Sequence, residues 1–205
     1  MIFHDVQQNT EEWFSLRRGK VTASNFGTFM ANEGKAFGEP AKRYAVQVAL
    51  EQINNVRVEN GYTNDHLERG KEQEPIARML YEDEYFCDVL NGGFFDHGEY
   101  GDSPDGLVNN EGAIEIKCVT PAIHYATLKR NSFDPAYTWQ LIGHLDCTQR
   151  DWVDFVSYCP EFPKEKQLIV YRLNKSDYGD YINRLRNRRN DYLCLVNSIF
   201  NDIKK

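Results

Sequence analysis

Three side chains in one short stretch have the chemistry to hydrolyse a phosphodiester: Asp105 in Ser103-Pro104-Asp105-Gly106, and Glu115 and Lys117 in Ala113-Ile114-Glu115-Ile116-Lys117-Cys118. Between them lies Asn109-Asn110-Glu111-Gly112, whose turn-forming residues make the segment read as a β-hairpin. With the turn centred near Asn110 and Glu111, Asp105 falls opposite Glu115 and Ile116. The period-two alternation of a strand then puts Glu115 and Lys117 on one face. Carboxylates are hard oxygen donors suited to Mg²⁺, which polarises a phosphoryl oxygen and lowers the pKa of a bound water that an amine can position. Such chemistry needs no protein nucleophile. Ile114 and Ile116 alternate with the polar pair, so the opposite face of the strand should pack under the sheet and hold Glu115 on a rigid element. The same residues also suit a surface charge ladder beside an Asp-Gly turn, and the motif alone leaves both readings open.

The elements that must carry this hairpin follow from the apolar pattern. Residues 10–17 place Trp13, Phe14 and Leu16 at helical spacing, with Gly19 as a stop. Ser24 stands where a helix N-cap belongs, before a short helix through Phe26, Phe29 and Met30, and a third helix covers 41–53. Residues 65–84 form a long helix with Leu67, Ile76, Met79 and Leu80 as apolar positions; Pro75 should kink or restart it. From 89 to 119 short apolar runs alternate with glycine-rich turns, the texture of a sheet core. Two helices over 121–130 and 135–146 each begin with proline, strands follow at 152–158 and 167–172, and a helix over 176–200 closes the chain. This is an α/β pattern with no internal repeat, read as a single domain over residues 1–205.

With 41% hydrophobic and 27% charged residues, the chain has the balance of an ordinary globular protein. No run approaches the roughly 18 to 20 apolar residues of a membrane span, and no secretory leader follows Met1, so a cytoplasmic location is expected. The five cysteines are scattered without a C-x-x-C pair, which argues for reduced, mostly buried thiols rather than disulfides or zinc. A net charge of −7 fits poorly with a phosphate-binding surface, so any nucleic-acid contact must be local. Basic residues do cluster at Arg17, Arg18 and Lys20, at Lys42 and Arg43, and at Lys129 and Arg130. Arg184, Arg186, Arg188 and Arg189 form either a further track or a solvated helix face.

Four ordered blocks resemble the phage lambda exonuclease and YqaJ-type viral recombinase family of the PD-(D/E)xK nuclease superfamily. They are Trp13-x-x-Leu16-Arg17-x-Gly19-x-Val21-Thr22-Ala23-Ser24, Gly70-Lys71-x-x-Glu74-Pro75-x-Ala77-x-x-x-Tyr81, the Asp105 hairpin with Glu115-x-Lys117, and Gln140 in a helix before a strand. The resemblance implies a restriction-endonuclease-like α/β core with a central mixed β-sheet flanked by helices. It further implies 5′-to-3′ digestion of one strand of linear duplex DNA, leaving a 3′ single strand for an annealing protein.

Carried over, Asp105 and Glu115 are metal ligands with the Ile116 carbonyl as a third, Lys117 orients the attacking water, and Glu74 is the helix-borne acid of the same site. Gln140 holds a phosphate oxygen or water. The cofactor implied is Mg²⁺, with Mn²⁺ able to substitute and two ions per site. Arg17 and Ser24 match positions that take the terminal 5′-phosphate, in keeping with a two-pronged arginine contact and the anion affinity of a helix N-terminus. Asp102 either joins the metal cluster or shapes the turn, ranking below Asp105; His97, His124 and His144 read as core or surface residues rather than ligands. The family also implies a homotrimeric ring, in which enclosure offsets the weak electrostatics of an acidic chain. The alternatives are a restriction-like or repair endonuclease with the same core, and a non-catalytic DNA-binding scaffold for recombination.

Overall fold

The computed structural model describes residues 1–58 and 65–205, with side chains except those of 65–68 and 71. Its helices are α1 (Glu11–Arg17), α2 (Phe26–Met30), α3 (Glu39–Asn54), α4 (Asp65–Tyr85), α5 (Pro121–Arg130), α6 (Thr138–Thr148) and α7 (Gly179–Lys204). The strands are β1 (Ile2–His4), β2 (Val21–Thr22), β3 (Val89–Asn91), β4 (Phe94–Asp96), β5 (Tyr100–Asp102), β6 (Gly106–Val108), β7 (Gly112–Cys118), β8 (Trp152–Tyr158) and β9 (Leu168–Asn174).

Local chemistry sets the helix boundaries. The Thr10 hydroxyl accepts from the Trp13 amide at 3.3 Å and caps α1, while α3 and α5 end on Asn55 and Asn131 in left-handed conformation. Of the kink or restart expected at Pro75, the restart does not occur: α4 runs through it as one element. The expected core position Leu67, and Lys71 of the second motif block, lie outside the described side chains. The helix expected from Pro135 begins instead with a 3₁₀ turn, Pro135–Tyr137, capped by the Asp134 carboxylate, and α6 follows. Among the described residues no helix is long and apolar enough to cross a membrane.

The strands between Val89 and Cys118 do not share one sheet. β4 and β5 leave to join β1 and β2 in the order β1-β4-β5-β2, and the larger sheet has the order β3-β6-β7-β8-β9. The strands Ile2–His4 and Val21–Thr22 were not foreseen, being too short to carry an alternating pattern. Both sheets are mixed: β7 pairs parallel to β8 and β2 parallel to β5, and the other pairs are antiparallel.

The central strand β7 is covered on both faces rather than one. Ile114 and Ile116 pack with Val108, Val156, Tyr158 and with Ala77 and Tyr81 of α4, whereas Ala113 belongs to the larger core with Leu141, Leu145 and Phe155. Burial on both faces is the usual state of a parallel pair. Helix α7 closes the larger core with Leu185, Tyr192 and Val196, and Tyr192 stacks on Phe29.

Its arginines are partly a solvated face, with Arg184 and Arg186 exposed, but each is engaged within the fold. Arg186 and Arg189 both bond the buried Asp146 carboxylate at 2.6 and 2.7 Å, Arg184 pairs with Glu33, and Arg188 donates to the carbonyls of Phe29 and Lys35. Nor are the thiols mostly buried: Cys147 and Cys159 are, Cys87 and Cys118 are half-buried, and Cys194 is exposed; all are free.

Candidate active site

The hairpin folds in the register read from its turn. Gly106 pairs with Ile114 and Val108 with Gly112, so Asp105 faces Glu115 across the ladder. The Asp105 amide donates to the Ile114 carbonyl at 3.0 Å, and its Oδ2 accepts from the Ile116 amide at 2.7 Å. The chain ahead of Asp105 is pinned from three sides. Trp13 donates to Ser103 Oγ, Gln8 donates to the Pro104 carbonyl, both at 2.8 Å, and Arg78 donates to the Asp105 carbonyl.

Glu115 is 2% exposed and accepts on both oxygens. Oε1 takes Lys117 Nζ at 2.5 Å and Gln140 Nε2 at 2.7 Å, while Oε2 takes His144 Nε2 at 2.9 Å. The opposite ring nitrogen of His144 faces both oxygens of Asp102, at 3.0 and 2.8 Å. Ionised carboxylates only accept, so both ring nitrogens donate and the ring is an imidazolium. Burial alone would lower the His144 pKa, but Asp102 and Glu115 outweigh it and lift it to about 10.

Glu115 follows the same logic in reverse. Burial raises its pKa, yet the Lys117 ammonium and the His144 ring bring it down to about 2. Lys117, also penalised by burial, is pushed up by Glu115 and Asp105. For Asp105 the balance goes the other way: burial, then Glu115 and Glu74, hold its carboxyl well above the usual carboxylate range, with Lys117 and the Ile116 amide only partly opposing. Glu74 on α4 is raised by burial as well, with Arg78 opposing and Glu115 adding to the shift.

Glu74, Ile116, Lys117 and Tyr137 open on a cleft of about 450 Å³, and Glu74 also lines a neighbouring cleft of about 640 Å³ with Gln7, Asn9 and Arg78. The donor set fits a hard divalent cation. Burial, then the charges of Glu115 and Glu74, push the Asp105 carboxyl upward, and a cation among the three would relieve that repulsion. Among the described residues, however, no three Asp, Glu, His or Cys side chains are gathered closely enough to cage an ion by themselves. Glu115 is turned to its own neighbours, which leaves backbone oxygen such as that of Ile116 to complete a shell.

Arg17 lies over the Trp13 ring at 4.1 Å and lines a pocket of about 200 Å³ with Arg18, Lys20, Thr22, Tyr44, Arg57 and Glu51, whose carboxylate accepts from the Gly19 and Val58 amides and from Gln47. No described carboxylate pairs with it, although Asp102 and Glu115 are near enough to act on its charge; burial lowers its pKa. Ser24 is not the N-cap expected. It sits inside the 3₁₀ turn Ala23–Asn25, exposed, with its hydroxyl 3.3 Å from that of Thr22, which does line the pocket. Lys42 and Arg130 pair locally with Glu39 and Asp134 on the surface.

The residues expected at the site thus fall into two groups. Glu74, Ile116 and Lys117 line the clefts beside β7, with Glu115 and Gln140 bonded behind Lys117 and Asp105 bonded to the Ile116 amide; Arg17 lines the basic pocket, and Ser24 reaches it only through Thr22. Asp102 neither joins the acidic cluster nor merely shapes a turn, since His144 takes both its oxygens. His97 and His124 bond to main-chain carbonyls of Cys147 and Lys166, as core residues do. His144 is a core residue too, but its bond to Glu115 escaped the sequence reading, as did Tyr44 and Arg57 at the basic pocket. The spacing of Gln140 and His144, one helical turn apart on α6, is the signal that could have linked them.

Residues 12–151 match the model of the YqaJ-like viral recombinase domain. The chain is similar to the alkaline exonuclease LHK-Exo from Laribacter hongkongensis, with 31% identity, TM-score 0.84, and coverage of 95% of this chain and 96% of that one. LHK-Exo in complex with dAMP gives 32% identity and a TM-score of 0.86 over the same shares. A phage related exonuclease from Haemophilus somnus 129PT shares the fold, with 14% identity, TM-score 0.72, and coverage of 90% and 96%. The two mixed sheets and their flanking helices are therefore a restriction-endonuclease-like architecture. No curated protein matches the chain.

Proposed function

Because this chain belongs to the YqaJ-like viral recombinase domain family, we propose that it is a Mg²⁺-dependent exonuclease. It digests one strand of linear double-stranded DNA from 5′ to 3′ and leaves a 3′ single strand for phage-type recombination. The observation that carries this reading is the convergence of Asp105, Glu115, Glu74 and Lys117 beside one cleft, on a chain similar to an alkaline exonuclease over nearly its whole length.

Asp105, Glu115 and the Ile116 carbonyl hold the metal, with Glu74 at its flank; Mn²⁺ substitutes, and two ions occupy each site. A divalent ion held there supplies Lewis acidity toward a phosphoryl oxygen and lowers the pKa of a water in its shell. Lys117 leaves Glu115 Oε1 and orients the attacking water. Gln140, released from the same oxygen, holds a phosphate oxygen or a water. Arg17, with Ser24 beside it, takes the terminal 5′-phosphate, so the chain end itself sets which bond reaches the acidic cluster. A homotrimeric ring around the duplex keeps an acidic protein on its substrate, a single-strand annealing protein receives the product, and the setting is the cytoplasm of a phage-infected or prophage-bearing bacterium.

The test is a linear duplex labelled on either end of either strand, incubated with Mg²⁺ or with EDTA. Loss of the 5′-ended strand from its terminus, in Mg²⁺ alone and not with Glu115→Gln, is the expected result. Cleavage of a covalently closed circle would instead assign a restriction-like or repair endonuclease, and metal-independent binding without hydrolysis would assign a scaffold.

A further inference from the structure

Glu115 is held by two residues of one helix, each on a different oxygen: Gln140 on Oε1 and His144 on Oε2. The two grips are unequal. Gln140 and Lys117 reach Oε1 from the cleft side, where Lys117 is partly exposed, whereas His144 is wholly buried and is fixed at its far nitrogen by Asp102, itself 1% exposed. Helix α6 is also packed closely from behind. A Cβ added at Gly143 would stand 2.8 Å from the Ala23 Cβ and 2.9 Å from the Phe26 ring, so the helix backbone rests against that segment.

We propose that His144 is a positioning residue for the metal site: by keeping Glu115 Oε2 in the protein interior, it leaves Oε1 as the one oxygen Glu115 offers to a divalent cation. The proposal rests on the metal-dependent reading above and deepens it. A free carboxylate can bind an ion through one oxygen or both. One whose second oxygen is taken by a buried, charge-assisted hydrogen bond binds through one, with its plane already set. Asp102 acts a step further back by holding the ring at the angle that points Nε2 at Glu115, the outer-shell role that tunes metal sites generally. The chain β5–α6–β7 thus runs Asp102, His144, Glu115 without a break.

The test uses the DNA-free protein and Mn²⁺, with binding read by calorimetry and by the Mn²⁺ paramagnetic resonance signal. In His144→Gln the side-chain amide reaches the position of Nε2 and still serves Glu115; in His144→Asn it reaches that of Nδ1 and serves Asp102 alone. The expected result is Mn²⁺ affinity weakened about tenfold or more in His144→Asn and by less than about threefold in His144→Gln. A purely structural role would lower the melting temperature of both and move neither affinity, and wild-type affinity in folded His144→Asn overturns the proposal. Should that variant fail to fold, Asp102→Ala, which removes the acceptor from His144 Nδ1, reads the same chain: affinity about tenfold weaker supports it, and unchanged affinity overturns it. Failure of the unaltered protein to bind Mn²⁺ at all is a different outcome, since it removes the metal reading itself.

Discussion

Lys117 Nζ lies 2.5 Å from Glu115 Oε1. On the metal-dependent reading proposed above, the amine stands in for a cation until one binds and is then free to meet the attacking water. Replacing it by a neutral side chain of similar length should separate these roles. In Lys117→Met, cleavage should fall by about 10²-fold or more, as for loss of a positioned proton-handling group. Mn²⁺ binding should be undiminished, because the competitor for Oε1 is gone. Cleavage within tenfold of the unaltered enzyme would remove Lys117 from the mechanism.

The position of Asp105 depends on a glycine outside every motif. A Cβ at Gly92 would lie 1.7 Å from the Pro104 carbonyl oxygen, a contact that only backbone movement can relieve. Gly92→Ala should displace Pro104 and Asp105 together, destabilise the protein by about 2 kcal/mol or more, and weaken Mn²⁺ binding. Gly27→Ala is the control, since nothing lies within 4 Å of its added carbon and a helical alanine is favoured by up to about 1 kcal/mol. Equal melting temperatures for the two variants would show that the loop yields without strain.

How far this site could be read from the chain depends on distance along it. Asp105 and Glu115 are joined by a turn whose residues declare it, and strand alternation then places Lys117, so local rules suffice. Asp102 and His144 are brought together across 42 residues by a sheet division that no periodicity announces. The strands beginning at Phe94 and Tyr100 look, in sequence, like further members of the central sheet. They join β1 and β2 instead, and that choice carries Asp102 to α6. The α7 arginines show the same limit, because a run of charge on a helix face does not reveal that Asp146 lies buried beneath it.

That buried carboxylate makes α7 part of the fold's stability. Asp146 is 3% exposed and Arg189 4% exposed, so truncating the acid leaves a guanidinium inside the protein without its partner. Asp146→Ala should cost about 3–5 kcal/mol in urea unfolding. Glu33→Ala breaks the exposed pair with Arg184 and should cost less than about 1 kcal/mol. Similar losses in the two would mean that water reaches Arg189.

His124 gives the acid side of the stability profile. Its Nε2 must donate to the Lys166 carbonyl at 2.8 Å, which leaves Nδ1 to accept from the Ser157 hydroxyl at 2.8 Å. Burial holds its pKa below the ordinary 6.5, with the bond to Lys166 opposing. The unfolded chain then binds the proton more readily than the folded one, so this contribution is complete above pH 6.5 and is lost as pH falls through the folded value. Nitrogen NMR should find the Nε2–H tautomer at pH 7 and no imidazolium until the solution is more acidic than 6.5. A protonated His124 ring at neutral pH would reverse the sign of the effect.

Arg17 offers the sharpest check on substrate ends. Its guanidinium rests on Trp13, faces a basic pocket, and has no carboxylate partner among the described residues, while Arg184 is tied to Glu33. A terminal phosphate would supply the missing anion, and one charge-assisted contact of this kind contributes about 1.5–3 kcal/mol, or roughly ten- to a hundredfold. The unaltered enzyme should therefore digest 5′-phosphorylated ends faster than 5′-hydroxyl ends by about that factor. Arg17→Ala should slow the phosphorylated substrate to the hydroxyl rate and leave the hydroxyl substrate nearly unchanged, whereas Arg184→Ala should keep the preference. If Arg17→Ala slows both ends equally, the residue serves the stacking on Trp13, and the phosphate must be read elsewhere.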